Sequence, residues 1–143
     1  MTQRNGAVAE DLEATNFFHS VMPYTQLLDV RVLCNSLEQV RARLAWAERL
    51  CTTGGVLHGG VIMSLADSVG AACALLNLPP GATGTTTVES KTNFLRAAGH
   101  GYVEAVATPV HCGRTLIVVE TVVRDERDRL VAKVTQTQLV IGD

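Results

Sequence analysis

The most pronounced feature of the hydrophobic pattern is a continuous apolar stretch in the middle of the chain. From Val61 to Leu78 every residue except Asp67 is apolar or small and neutral. Such a segment predicts a helix that is apolar on all sides and therefore buried, and the prolines at 79 and 80 predict its end. Its length of about 18 residues approaches that of a membrane span, but a charge in mid-segment and the strand-like alternation that follows argue against one. We interpret it as the core helix of a globular domain.

The segments around this helix alternate apolar and polar residues, which is typical of strands. Before it, we predict a loose tail over residues 1–8, a short helix over 10–22 that Pro23 ends, and strands over 27–33 and 40–46. After it, we predict a four-strand meander over residues 85–96, 102–111, 115–124 and 130–141. The fold class is therefore α+β, with an antiparallel sheet wrapped around one long central helix.

The third strand of the meander has apolar side chains on both faces and should be central. A single sheet leaves its second face exposed, so we expect a homodimer or a homotetramer to cover it. The chain is divided into an N-terminal tail with a short helix, residues 1–22, and one domain, residues 23–143.

Composition and charge exclude several classes of protein. With 47% hydrophobic and 18% charged residues, the chain is a compact globule. A net charge of −2 gives no basic field for nucleic acid or an acidic membrane. Acidic residues near the N-terminus replace the apolar run of a secretory signal. The four cysteines form no CxxC pair, so we expect a reducing cytoplasm and neither disulfides nor a metal site: Cys34, Cys51, Cys73 and Cys112.

The candidate chemistry lies at the start of the apolar helix and within it. Gly59 and Gly60 should expose backbone N–H groups at the helix N-terminus, where the helix dipole favours negative charge. Asp67 follows Gly59 by eight residues, about 12 Å of axial rise in a helix. A substrate along the helix would meet a donor for a developing oxyanion at one end and a carboxylate further in.

The same residues carry a family resemblance. The chain resembles the hotdog-fold acyl-CoA thioesterases of the phenylacetate-pathway type, in the 4-hydroxybenzoyl-CoA thioesterase superfamily. The motifs that carry it are Leu57-His58-Gly59-Gly60, the helix segment 64–68, the strand segment 88–96 and Gly113-Arg114-Thr115-Leu116. This resemblance implies dimers or tetramers with sites between subunits, an acyl-CoA substrate, and no metal or cofactor beyond the coenzyme A of the substrate.

The resemblance also implies roles for single residues. In the family, the first glycine after the histidine donates to the thioester oxygen, and an acidic residue eight positions later is the general base or nucleophile. Gly59 and Asp67 match these positions. We expect His58 to orient the loop through a hydrogen bond rather than to act as a base. A hydroxyl on the next strand often holds the attacking water, and Thr87 aligns best with it, with Thr85 as the register alternative.

One position departs from the family pattern. Thr52 stands where related enzymes have Asn or Gln, and its shorter hydroxyl offers no amide donor. This departure leaves open a non-catalytic acyl-CoA-binding domain, and a hotdog hydratase or dehydratase is a further alternative. The expected substrate and coenzyme A contacts, for which a solvated surface side chain is the alternative to each arginine, are Gly60, Ser68, Arg96, Gly113, Arg114 and Thr115.

Overall fold

The computed structural model of the chain describes residues 8–142, so the tail predicted over residues 1–8 lies almost wholly outside the described residues. The three α-helices are α1 (Leu12–Val21), α2 (Pro23–Leu27) and α3 (Gly59–Leu76), and a short 3-10 helix spans Glu48–Leu50. The six strands are β1 (Arg31–Asn35), β2 (Val40–Ala45), β3 (Ala82–Phe94), β4 (Tyr102–Cys112), β5 (Leu116–Asp125) and β6 (Leu130–Gly142).

The long central helix is α3, and it packs against one face of the sheet. The side chains of Leu65, Val69 and Cys73 are fully buried between the helix and the strands. On the opposite side of the helix, Met63 and Leu75 are exposed. The apolar pattern therefore predicted the helix correctly but overstated its burial, because a single chain covers only one side of it. Within residues 8–142, α3 is the one helix long and apolar enough to cross a membrane, and its position shows that it is the core helix.

The six strands form one antiparallel sheet in the order β1-β2-β4-β5-β6-β3. The central position predicted for the strand over 115–124 is confirmed by β5. The four-strand meander is wrong, because only β4, β5 and β6 are consecutive neighbours and β3 pairs with β6. The segment after β3 crosses the start of α3, where Ala98 O accepts from Leu57 N–H at 2.8 Å. This crossing carries the chain to the other side of the sheet, where β4 pairs with β2.

The N-terminal segment differs from its predicted layout. Pro23 begins α2 instead of ending the helical region, because proline suits the first position of a helix, where its missing N–H is not needed. The following strand consequently starts at Arg31 and not at residue 27. Helix α1 packs onto β1 and buries Phe18 completely in the core.

The two edge strands of the sheet differ in whether another element covers them. Strand β1 is covered by α1, and Val32 O accepts a hydrogen bond from Asp11 N–H at 2.8 Å. Strand β3 pairs with β6 on one side, and no described strand pairs with its other side. Because an open strand edge is a template for pairing with another chain, β3 is the edge of the sheet that is available for association.

Candidate active site

The N-terminus of α3 presents a backbone donor. His58 is the N-cap residue in an extended conformation, and its Nδ1 accepts a hydrogen bond from Gly60 N–H at 2.8 Å. The backbone N–H of His58 donates in turn to Leu50 O at 2.9 Å, which fixes the backbone of the cap residue. Gly59 N–H donates no hydrogen bond to any acceptor among residues 8–142. His58 thus caps the helix through its side chain, and Gly59 N–H is free to bind an acceptor.

A pocket of about 340 Å³ opens at this free donor. Its lining includes Gly59, Phe94 and Arg96. A Cβ atom on Gly59 would lie 3.2 Å from the Phe94 ring, so glycine allows this aromatic side chain to approach the backbone closely. The residue with the free backbone N–H, an aromatic residue and an arginine therefore border the same pocket.

The carboxylate of Asp67 lies two turns further along α3 and is held by neighbouring strands. Its Oδ1 accepts from Thr87 Oγ1 at 3.1 Å and from Gln136 Nε2 at 3.2 Å. Of the two predicted register alternatives, Thr87 is the one that contacts Asp67. The sequence predicts a helix that is buried on all sides, and this is wrong at Asp67, which is exposed in the single chain. It lies at the margin of the helix face that the sheet covers.

Two glutamines that the sequence analysis did not single out support this contact. Gln136 and Gln138 are both buried on β6, with at most 1% of their surface exposed. Gln138 Nε2 donates to Thr87 Oγ1 at 2.7 Å, and Gln138 Oε1 accepts from Thr85 Oγ1 at 3.0 Å. Since Thr87 has one hydroxyl proton, which it gives to the carboxylate, its oxygen is left to accept from the amide. The sequence contained a signal for these residues. Alternate positions of the strand face inward and are mostly apolar, but two of them are glutamines.

The two central groups do not meet within one chain. Gly59 and Asp67 are eight residues apart in the continuous helix α3, about 12 Å of axial rise. An oxyanion donor must lie about 3 Å from the reacting oxygen, and a base must act directly or through one water. One reacting carbonyl group therefore cannot use both groups of the same chain at once.

The remaining predicted residues are dispersed. Thr52 is exposed in the turn before α3, where its N–H donates to Val56 O at 2.9 Å. Ser68 is only 8% exposed and its hydroxyl donates to Ser64 O, so the geometry gives no support to a ligand contact there. Gly60 N–H is occupied by His58.

The two segments expected to contact coenzyme A lie at opposite ends of the sheet. Thr115 O, in the turn 113–115, accepts from Val140 N–H, and Val140 pairs with Thr85. Arg96 follows Phe94, at the other end of the same strand. Nine residues separate Thr85 from Phe94 in β3, which corresponds to about 30 Å. Arg96 borders the pocket beside Gly59, whereas the turn with Arg114 lies far from it in the same protomer.

No group of three or more His, Cys, Asp or Glu side chains suited to hold a metal ion occurs within the described part of the chain. The fold and these residues together define a small α+β domain with a helix-borne carboxylate and a free donor at the helix start. The sequence pattern of the thioesterase superfamily matches residues 54–132, which include both groups. The chain belongs to this superfamily.

Individual relatives agree with this assignment. ComA2 of Bacillus subtilis, provisionally named an esterase, is 31% identical over 106 residues, covering 74% of this chain and 84% of that protein. The structure of thioesterase HI1161 from Haemophilus influenzae superposes with a TM-score of 0.83 at 28% identity, covering 94% of this chain and 92% of that one. PaaI of E. coli, from the phenylacetic acid degradation operon, has a TM-score of 0.80 at 17% identity over 91% and 92% of the chains, which shows the shared hotdog fold alone.

Proposed function

We propose that this protein is an acyl-CoA thioesterase that hydrolyses an acyl- or aryl-acyl-CoA to the free acid and coenzyme A. The observation that carries the proposal is the Asp67 carboxylate. Its Oδ1 accepts two hydrogen bonds, and its Oδ2 accepts none from the described residues. In a member of the thioesterase superfamily, such a group suits a general base for water or a nucleophile that forms a mixed anhydride. Gly59 N–H stabilises the oxygen that gains charge as the carbonyl is attacked.

The distance between these groups supports a site shared by two subunits. Because about 12 Å separates them along one helix, the Gly59 N–H of one protomer acts with the partner subunit's Asp67. A two-fold axis produces two equal sites of this kind. The homodimer uses the open edge of β3 and covers exposed apolar side chains near it, including Met63, Val88 and Phe94. On the outer face of the sheet, Val118 and Val122 are half-buried and offer a second surface for a tetramer.

The coenzyme A end of the substrate is assigned to arginines. Arg96 lies beside the Gly59 pocket, and a guanidinium is suited to phosphate because its donors form a planar fork. The turn 113–115 is too far away to act on the same ligand within one protomer, so its contact would have to come from another subunit. Coenzyme A is part of the substrate in this proposal, no separate cofactor is required, and the place of action is the cytoplasm.

The test is hydrolysis of a panel of acyl-CoA thioesters, including aryl-acetyl, benzoyl and medium-chain groups, followed by release of free thiol. Asp67→Asn keeps the shape and the hydrogen bonds of the side chain but removes its basicity. For the best substrate we expect kcat to fall by ~10²-fold or more with little change in KM. Because an Asn side-chain oxygen can accept the same two hydrogen bonds, the variant should unfold at the same temperature as the wild type. A variant with normal kcat would contradict the mechanism.

A non-catalytic acyl-CoA-binding domain is the alternative function that is also compatible with the geometry. It is favoured by Thr52, whose exposed hydroxyl replaces the amide of related enzymes. The same panel separates the two functions, because a binding domain would take up acyl-CoA in calorimetry without releasing thiol. The remaining alternative is a hydratase or dehydratase. Hydration of an enoyl-CoA would be seen as loss of absorbance of the conjugated thioester without thiol release.

A further inference from the structure

The environment of Gln136 is unusual for a core residue. Its side chain is fully buried on β6, and its Nε2 donates to Asp67 Oδ1 at 3.2 Å. Its Oε1 is buried and has no hydrogen-bond partner among the described residues. A buried acceptor without a partner lowers stability, whereas an apolar side chain of the same shape would not. The unpartnered oxygen of Gln136 therefore lowers the free energy of unfolding, which a methionine or leucine at this position would not do.

The unpartnered oxygen follows from the direction of the amide. If the amide were flipped, Oε1 would face the carboxylate oxygen of Asp67 and the two acceptors would repel each other. The observed orientation gives the donor to Asp67 and directs Oε1 towards Gly70 on α3. A Cβ atom on Gly70 would lie 1.9 Å from Oε1, so only glycine at this position leaves room for the amide. Gly70 and Gln136 together hold one donor against the carboxylate.

Both donors that reach Asp67 converge on the same oxygen. Thr87 Oγ1 and Gln136 Nε2 each donate to Oδ1, and no hydrogen bond to Oδ2 occurs within residues 8–142. Two donors from two strands fix both the position of Oδ1 and the plane of the carboxylate. Oδ2 is left with its lone pairs available.

We propose that Gln136, seated against Gly70, is a positioning residue that holds Oδ1 of Asp67 so that Oδ2 is the reactive oxygen. The proposal rests on the proposed thioesterase function. As a base, Oδ2 takes a proton from water, the water oxygen bonds to the carbonyl carbon, the C–S bond breaks and the proton passes to the thiolate. As a nucleophile, Oδ2 bonds to the carbonyl carbon, the thiolate leaves and takes a proton from solvent, and water then cleaves the anhydride.

The first experiment replaces Gln136 with methionine, which has a similar volume and no donor. We expect kcat to fall by ~10- to 100-fold, since small displacements of a reacting group have effects of this size, while KM changes little. The melting temperature should stay the same or rise, because an unpartnered oxygen is removed. A purely structural role for Gln136 would give the opposite result, a lower melting temperature with normal kcat, and would overturn the proposal.

The matched control is Thr121→Val. Thr121 is also fully buried, lies on the adjacent strand β5, and has a hydroxyl oxygen without a partner, but it makes no hydrogen bond to Asp67. Its removal should leave kcat unchanged. In an Asp67→Asn background, Gln136→Met should cause no further loss, because the group that it positions has already lost its function. A full additional loss in that background would show that Gln136 acts elsewhere and would overturn the proposal.

A second pair of variants tests the contact from the helix side. Gly70→Ala places a methyl group where Oε1 lies, so it should displace the amide and lower kcat as Gln136→Met does. Combined with Gln136→Ala, which leaves room for the methyl, Gly70→Ala should add no further loss. If Gly70→Ala retains normal kcat, the amide is not required at that position and the proposal fails.

A final measurement does not depend on turnover. With carbon-13 in the aspartate side-chain carboxyl groups, the resonance of Asp67 is identified by its absence in Asp67→Asn. Gln136→Met should shift this resonance and Thr121→Val should not. An unchanged resonance would overturn the positioning role even in an active enzyme. A shifted resonance in a protein that releases no thiol from any acyl-CoA would retain the contact and reject the proposed function instead.

Discussion

A shared site makes a quantitative prediction about mixtures of two inactive variants. The first is Asp67→Asn. The second is Gly59→Pro, which deletes the free N–H at the first position of α3. Proline is favoured at that position, and the extended backbone of His58, with φ −60° and ψ 135°, is the conformation required before a proline. Each variant should therefore fold and lack one of the two groups.

The expected magnitudes follow from the 12 Å separation. Loss of one oxyanion donor lowers kcat by ~10²- to 10³-fold, and loss of the acid–base group lowers it by ~10²-fold, so each variant alone should have about 1% of wild-type activity or less. In a mixed dimer, one site combines both altered residues and the other combines the intact Gly59 with the intact Asp67. After equal mixing and random exchange, half of the dimers are mixed, and total activity should recover to about a quarter of the wild-type value.

The assay is thiol release from the best acyl-CoA after the two variants are unfolded together and refolded, with exchange verified by native mass spectrometry. Gly59→Ala is the control for crowding, because it adds the Cβ that lies 3.2 Å from Phe94 but keeps the N–H. It should retain most of the activity. If verified mixed dimers are no more active than the separate variants, the site lies within one chain and is not shared between subunits.

Three further predictions concern assembly, the departure at Thr52 and acid stability. Light scattering at micromolar concentration should show a dimer or a tetramer, and a stable monomer would contradict the shared site. Thr52→Asn should keep or raise kcat and Thr52→Ala should change it only modestly; a loss as large as that of Asp67→Asn would make Thr52 a principal catalytic group. Burial acts to raise the pKa of Asp125, but hydrogen bonds from Arg129 and from Arg127 N–H outweigh it and lower the pKa. Asp125→Ala should therefore cost about 2 kcal/mol in the free energy of unfolding above about pH 4, and this difference should shrink as pH falls through the lowered pKa; a difference independent of pH would contradict it.

The sequence alone determined the elements that depend on local pattern. An apolar run interrupted only by Asp67, with prolines behind it, specified α3, because such a segment has no polar face to leave in water. Alternation specified the strands after it, and the two-sided apolar pattern of residues 115–124 specified the centre of the sheet, which β5 occupies. The glycine pair at the start of the helix indicated the free donor, since the first N–H groups of any helix lack partners within it.

Tertiary structure decided what depends on pairing between distant segments. The place of β3 beside β6 could not be read from alternation, because a strand pattern specifies which residues share a face but not which strand lies next to it. The exposure of Asp67 depends on how far the sheet extends around the helix. Its contact with Gln136 joins residues 69 positions apart, and the space for that contact is a missing side chain at Gly70. A buried glutamine becomes recognisable as support for a carboxylate only when folding brings the two together.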